Sequence, residues 1–328
     1  MPRTSPPGQH HPHTPVKLPL NTLFIALLLV LAGCSTTPQT DKLLGSTPVR
    51  EPAYRELVDV PFFPQALYQC GPAALATVLQ HSGIAVTPEA LVARVYVPER
   101  QGSFQVEMVA ASRQYERLPY VLPPRLQALL DAIDAGQPVL ILQNLGLDWY
   151  PRWHYAVVVG YDLKAEKLFL RSGTTRRYEM AMRLFERTWR RADHWAMVTM
   201  VPGQIPPNAD KRRYFLAAAA FEQFASPAAV REVWQRGIEE WPGDADIGLG
   251  FGNFLYNQGA YRQAEHTYRQ VIDDNSDFAP AYNNLAEALL AQDRAADALP
   301  HAARALELGT EDTNLYRETY RKVLEAAQ

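Results

Sequence analysis

Cysteine is scarce in this chain. Two stand among 328 residues, Cys34 and Cys70, too few for a disulfide framework or a cysteine-rich zinc site. No apolar run reaches the ~20 residues that a bilayer-spanning helix needs. HExxH, Walker-loop and dinucleotide fingerprints are missing, so no metal or cofactor is expected. A strong charge imbalance is missing too. The formal net charge of -3 gives no reason to expect nucleic acid or an anionic membrane surface as partner. What is present is ordinary for folded protein. Apolar residues make up 47% and charged residues 20%, enough for a real core and, at this length, for two folded domains plus tails.

The two cysteines have different surroundings. Residues 1–19 are polar and proline-rich, with Arg3 and Lys17 as fixed positive charges, and residues 20–32 (LNTLFIALLLVLA) are mostly apolar. This is the length of a signal-peptide core. Leu31-Ala32-Gly33-Cys34 closes it. The arrangement resembles the bacterial lipoprotein box, in which the peptide is cut before the cysteine and the cysteine is lipidated. Ser35 follows instead of Asp, which in Gram-negative lipoproteins resembles the outer-membrane default. The resemblance implies a signal peptide over 1–33, lipidation at Cys34, and a chain anchored in the outer membrane facing the periplasm. Residues 34–53 then read as a Ser/Thr/Pro-rich tether.

Cys70 opens Cys70-Gly71-Pro72-Ala73-Ala74-Leu75. Pro72 suits a first helical turn and Gly83 a helix end, with one apolar face at 74, 75, 78 and 79. A thiol at a helix N-terminus is expected to favour its thiolate, the form that attacks. Thr87 and Glu89 mark another helix start. Residues 138–144 read as a buried strand, His154 to Asp162 as a strand opened by the histidine, and Leu168 to Arg171 as its antiparallel successor. A helix-starting cysteine and a strand-borne histidine are the parts of a Cys–His pair. The aromatic stretch Trp149 to Trp153 just before the histidine suits either core packing or a cleft wall.

Three ordered blocks, Pro61-Phe62-Phe63-Pro64-Gln65, then Cys70-Gly71-Pro72-Ala73, then His154-Tyr155 running into Gly160-Tyr161-Asp162, resemble the bacteriocin-processing (double-glycine) cysteine peptidases over roughly residues 55–200. The resemblance implies an α+β papain-like domain, with a catalytic helix and an antiparallel sheet, over 54–202. It implies Cys70 as nucleophile, His154 as general base, Gln65 as an oxyanion-hole donor, and a peptide or protein substrate. That family carries Asp or Asn on the next strand to fix the imidazole. Here the stretch reads Arg171-Ser172-Gly173, which makes Ser172 the expected orienter and Asp162 the alternative. A serine brings no charge. Peptide cleavage, binding without cleavage, and acyl or peptidyl transfer through a thioester therefore all stay open.

Residues 203–210 read as a linker. Beyond it strand signals vanish and two segments align at an offset of 34 residues: Gly252 with Ala286, Leu255 with Leu289, Ala264 with Ala298, Val271 with Ala305. The spacing resembles the tetratricopeptide repeat. It implies an all-α repeat domain over 211–328, with a divergent first copy over 211–242, a capping helix over 313–327, and a protein partner on its concave face.

Overall fold

The computed structural model describes residues 36–46, 48, 50–65, 69–309 and 313–328. Cys34, the signal peptide and the start of the tether lie outside them. Among the described residues no helix is long and apolar enough to cross a membrane.

The frame is a seven-stranded antiparallel sheet. In chain order its strands are β1 (Tyr54–Glu56), β2 (Leu118–Val121), β3 (Val139–Asn144), β4 (Trp153–Asp162), β5 (Lys167–Ser172), β6 (Thr175–Ala181) and β7 (Ala196–Met200). The spatial order is β2-β7-β3-β4-β5-β6, with β1 also on β4. Side chains alternate between two cores, as the period of two dictates. Leu140, Leu142, Tyr155, Val157 and Met197 enter one, and Val139, Ile141, Ala156, Val158, Ala196 and Val198 the other. A bulge at Val158–Gly160 shifts this parity, so Tyr161 joins the second core.

The first core is closed by α2 (Cys70–His81), α3 (Pro88–Val95) and α4 (Gln105–Gln114). The helix expected at Cys70 starts there, and its chain turns away at Gly83 with φ +92. That left-handed value suits glycine. Pro88 sits at the start of α3, as expected from Thr87, although the Thr87 hydroxyl caps no backbone N–H.

The second core is closed by α1 (Pro38–Leu44), α5 (Leu126–Asp134) and α6 (Met182–Arg190). Here the expected tether needs correction. Residues 38–44 are helical and Thr40 and Leu43 are buried. The Glu186 carboxylate accepts the Gln39 and Thr40 N–H groups at 3.0 and 2.7 Å, and Arg50 bridges Asp131 and Asp134. A Ser/Thr/Pro-rich composition did not prevent docking, because one buried carboxylate supplies the N–H partners a short helix lacks. Among the described residues, neither core includes one earlier than Leu43.

The C-terminal region is a stack of helices: α7 (Lys211–Phe221), α8 (Pro227–Glu240), α9 (Ala245–Asn257), α10 (Tyr261–Asp274), α11 (Ala279–Leu290), α12 (Ala295–Leu308) and α13 (Thr313–Ala326). All four residue pairs of the 34-residue offset are buried. Gly252 shows why one of them is small: a Cβ there would lie 2.3 Å from the Tyr268 ring. The stack is no separate lobe. Its Tyr214, Phe221, Val233 and Trp234 join the same hydrophobic cluster as Tyr120 and Leu122 beside the sheet. The expected linker is held as well, with Asp210 N–H donating to the Tyr120 hydroxyl at 2.8 Å and Asn208 Nδ2 to Asp131 at 3.3 Å.

Leu43→Ala measures the docking of α1. Truncating a buried leucine costs about 2–5 kcal/mol, so thermal unfolding should move down by several degrees. A freely moving segment would show no shift.

Candidate active site

Gln65, Cys70 and His154 line one cavity of about 910 Å³, together with the Arg100–Gln105 segment, Leu142, the Pro151–Tyr155 stretch and Gly173. Residues as far as 89 positions apart in the chain are thus brought together. Cys70 is the first residue of α2, where N–H groups have no intrahelical acceptor. Gly71 beside it has to be glycine, since a Cβ would sit 2.3 Å from Ser103 Oγ. His154 is the second residue of β4, facing Gln143 of β3.

Ser172, on β5, is where the sequence places the orienter. Val157 pairs with Arg171, so Ser172 is the diagonal neighbour of His154 on the same face. Its Oγ lies 2.9 Å from His154 Nε2, which leaves Nδ1 as the other ring nitrogen. Asp162 is ruled out as the alternative. It stands at the far end of β4, eight residues or roughly 26 Å along the strand, and its carboxylate accepts the Ala165 N–H at 2.9 Å. A carboxylate eight residues along an extended strand is out of the imidazole's reach.

Gln65 is held at both ends of its amide. Oε1 accepts the Gly173 N–H at 3.1 Å, and Nε2 donates to the Tyr155 carbonyl at 3.3 Å. The main chain repeats the tie, with Gln65 N–H donating to the Gly173 carbonyl at 3.0 Å. Gly173 itself has φ +57 in the two-residue turn between β5 and β6, where a positive φ closes the hairpin.

Arg171 was not singled out in the sequence. Its side chain is buried and donates to the carbonyls of Val58 and Val60 at 3.1 Å and of Arg176 at 2.7 Å, which pins the segment leading to Gln65. The signal was available: an arginine inside the apolar strand Leu168-Phe169-Leu170. Asn144 was also missed. Its Oδ1 accepts the Gly146 and Arg152 N–H groups at 2.9 and 2.8 Å, and its Nδ2 donates to the Leu147 carbonyl, folding the loop before His154. That loop is not core. Trp149, Tyr150 and Trp153 are 81, 67 and 55% exposed, and Pro151, Arg152 and Trp153 form a wall of the cavity.

The electrostatics depart from expectation. Burial pushes the Cys70 thiol up, and main-chain hydrogen bonds at Tyr155, Gly71 and Cys70 only partly offset it. Burial pushes the His154 imidazole down. Desolvation disfavours both charged forms, which opposes the thiolate expected from the helix N-terminus.

Comparison with known proteins bears on the two parts of the chain. Residues 57–197 match the model of the Peptidase_C39 like family and residues 279–311 that of the tetratricopeptide repeat. No curated protein sequence matches the chain. Among solved structures, a C39-like peptidase from Bacillus anthracis is 19% identical with a TM-score of 0.40, covering 45% of this chain and 97% of its own. The peptidase domain of Streptococcus ComA, a bifunctional ABC transporter of a quorum-sensing pathway, is 19% identical with a TM-score of 0.35, covering 43 and 98%. The TPR2B domain of yeast Sti1, in complex with an Hsp70 peptide, is 18% identical with a TM-score of 0.33, covering 35 and 96%. The chain joins a C39-like α+β domain to tetratricopeptide repeats.

A chain beginning at Thr36 carries Cys70 as its one cysteine. Its alkylation by iodoacetamide, which needs the thiolate, should rise with an inflection above the ordinary thiol value of about 8.5. Fast alkylation at pH 6 would instead show a thiolate–imidazolium pair.

Proposed function

We propose that the protein is a lipid-anchored cysteine peptidase working through a Cys70–His154 dyad. The observation that carries this is the shared cavity: nucleophile, base and amide donor line one space, and the base is held by Ser172 through Nε2. On substrate binding, Nδ1 takes the Cys70 proton as Sγ attacks the peptide carbonyl. The oxyanion is met by the second Gln65 Nε2–H, the first being given to the Tyr155 carbonyl, and by the first N–H groups of α2. The imidazolium then protonates the leaving amine. A thioester remains, and water cleaves it with His154 again as base.

A neutral orienter makes the imidazolium less stable than a carboxylate would. That favours a slow or selective peptidase and lends weight to a second reading, peptide binding without cleavage. Transfer of the thioester to an amine needs the same groups. The repeat stack offers the surface for a protein partner, since such stacks bind peptides or helices. Lipidation at Cys34 places the protein on the periplasmic side of the outer membrane.

Cleavage of a peptide library by the full chain should vanish in Cys70→Ala and fall about a hundredfold or more in Gln65→Ala. Ser172→Asp should raise the rate and move the acid limb of the pH profile upward, since a neighbouring carboxylate raises an imidazole pKa. A chain that retains peptide binding yet gives no product in any of these forms would establish the binding reading. Cys34→Ala should move the protein from the membrane fraction to the soluble one.

A further inference from the structure

The cavity that holds Cys70 and His154 carries permanent charge of one sign. Among the described residues that line it, the permanently charged ones are Arg100 and Arg152, and none is a carboxylate. The acidic residues nearest to them in the chain lie elsewhere. Glu99 is exposed and Glu107 sits in the first turn of α4, both outside the lining, and the Asp148 carboxylate lies 3.7 Å from the Arg191 guanidinium. Exposed arginines are ordinary on a protein surface. A concave wall with charge of one sign acts differently, because its low-dielectric flanks focus the field into the space they enclose.

The two arginines come from separate segments, each fixed through its main chain. Arg100 belongs to a closed turn, in which the Val97 N–H donates to the Gly102 carbonyl at 2.8 Å and the Arg100 N–H to the Val97 carbonyl at 3.1 Å. The next residue, Ser103, is held by the Tyr155 hydroxyl, which donates to its carbonyl at 3.3 Å. Arg152 donates its N–H to Asn144 Oδ1 at 2.8 Å, and its carbonyl accepts the Leu145 N–H at 2.9 Å. Both side chains are exposed, and among the described residues neither guanidinium has a hydrogen bond, an ion pair or a ring against it. A group presented from a fixed main chain loses less freedom when it meets a ligand. Each segment also brings one half-exposed ring to the lining, Phe104 and Trp153.

We propose that the cavity takes an acidic peptide: carboxylate side chains of the bound stretch meet Arg100 and Arg152, and an apolar side chain between them lies against Phe104 or Trp153. Carboxylates suit these positions because a guanidinium meets them with two parallel hydrogen bonds. The volume of about 910 Å³ has room for several residues of chain, lying near the top of the roughly 300–1,000 Å³ usual for ligand pockets. The proposed peptidase reading enters only to give the bound peptide a direction. Arg152 precedes His154 by two residues, and the imidazole protonates the leaving amine. The acidic residue that Arg152 meets therefore belongs to the half that departs. Arg100 belongs to the segment that packs through Ser103 against Gly71, beside the nucleophile.

The test uses the full chain and three peptide pools of equal length that share a central apolar residue. One pool carries Asp and Glu, one Asn and Gln, one Lys and Arg. The acidic pool should be cleaved with a kcat/KM about tenfold above the amide pool, the difference lying in KM, and the basic pool slowest. Fragment masses should place Asp or Glu shortly after the cut. In 1 M salt, where screening acts within about 3 Å, the preference should shrink severalfold. The double variant Arg100→Glu, Arg152→Glu should reverse the order in favour of the basic pool, a result that unfolding does not produce. Cleavage of all three pools at one rate, or an unchanged order in the double variant, overturns the proposal and leaves the peptidase reading standing. The Cys70→Ala chain separates the two, since its binding of fluorescein-labelled peptides from the same pools should follow the same order. Binding in that order with no cleavage by the unaltered chain keeps the acidic preference and removes the peptidase reading. Binding without order, or no binding of any pool, overturns the preference.

Discussion

Arg171 is buried in the sheet with a full charge, and its N–H groups are met by main-chain carbonyls instead of a carboxylate. Burial pushes the guanidinium pKa down, as do the neighbouring Arg176 and Arg177, yet arginine stays protonated in proteins. Such a group holds its acceptors firmly, because losing them would leave a charge without partners. The acceptors belong to the segment 58–60, which runs on to Gln65. One residue later, Ser172 holds His154, and one beyond that, Gly173 holds Gln65. Three successive residues of the β5 end therefore set the base, the amide donor and the segment that carries it.

The same burial that orders the site works against charge on both groups. A helix N-terminus and a nearby imidazole both argue for a thiolate, and the pattern of residues around Cys70 invites that reading. The cavity instead lifts the thiol and lowers the imidazole. Ser172 fixes ring orientation without adding charge, so nothing on its side of the ring counters the desolvation. Orientation and electrostatic support, which one carboxylate often supplies together, are separated here.

The sequence was most legible where a signal is local. The α2 start at Cys70, the β4 start near His154 and the 34-residue spacing of small residues all depend on neighbours a few positions away, and the structure contains each of them. Ser172 was legible through its place in the block order. Asp162 was not excluded by sequence, because a strand's full length separates it from the histidine only once the strand is extended. The docking of α1 depends on Glu186, nearly 150 residues away, and no local pattern around Pro38 announces that partner. The exposure of Trp149 was equally hidden, since an aromatic-rich loop reads the same whether it packs inward or stands outward.

The shared core between the sheet and the helical stack has a consequence for scale. Because α7 and α8 pack into the cluster that contains Tyr120 and Leu122, and Asp210 is tied to Tyr120, the stack cannot swing as a lobe on a flexible joint. In the sheet, β2 and β4 are separated by β7 and β3, a distance of roughly 14 Å at ordinary strand spacing. The repeats and the cavity are therefore carried by one continuous core. The separation between the helical stack and the cavity is therefore a fixed length of the molecule, set by strand spacing and not by the reach of a hinge.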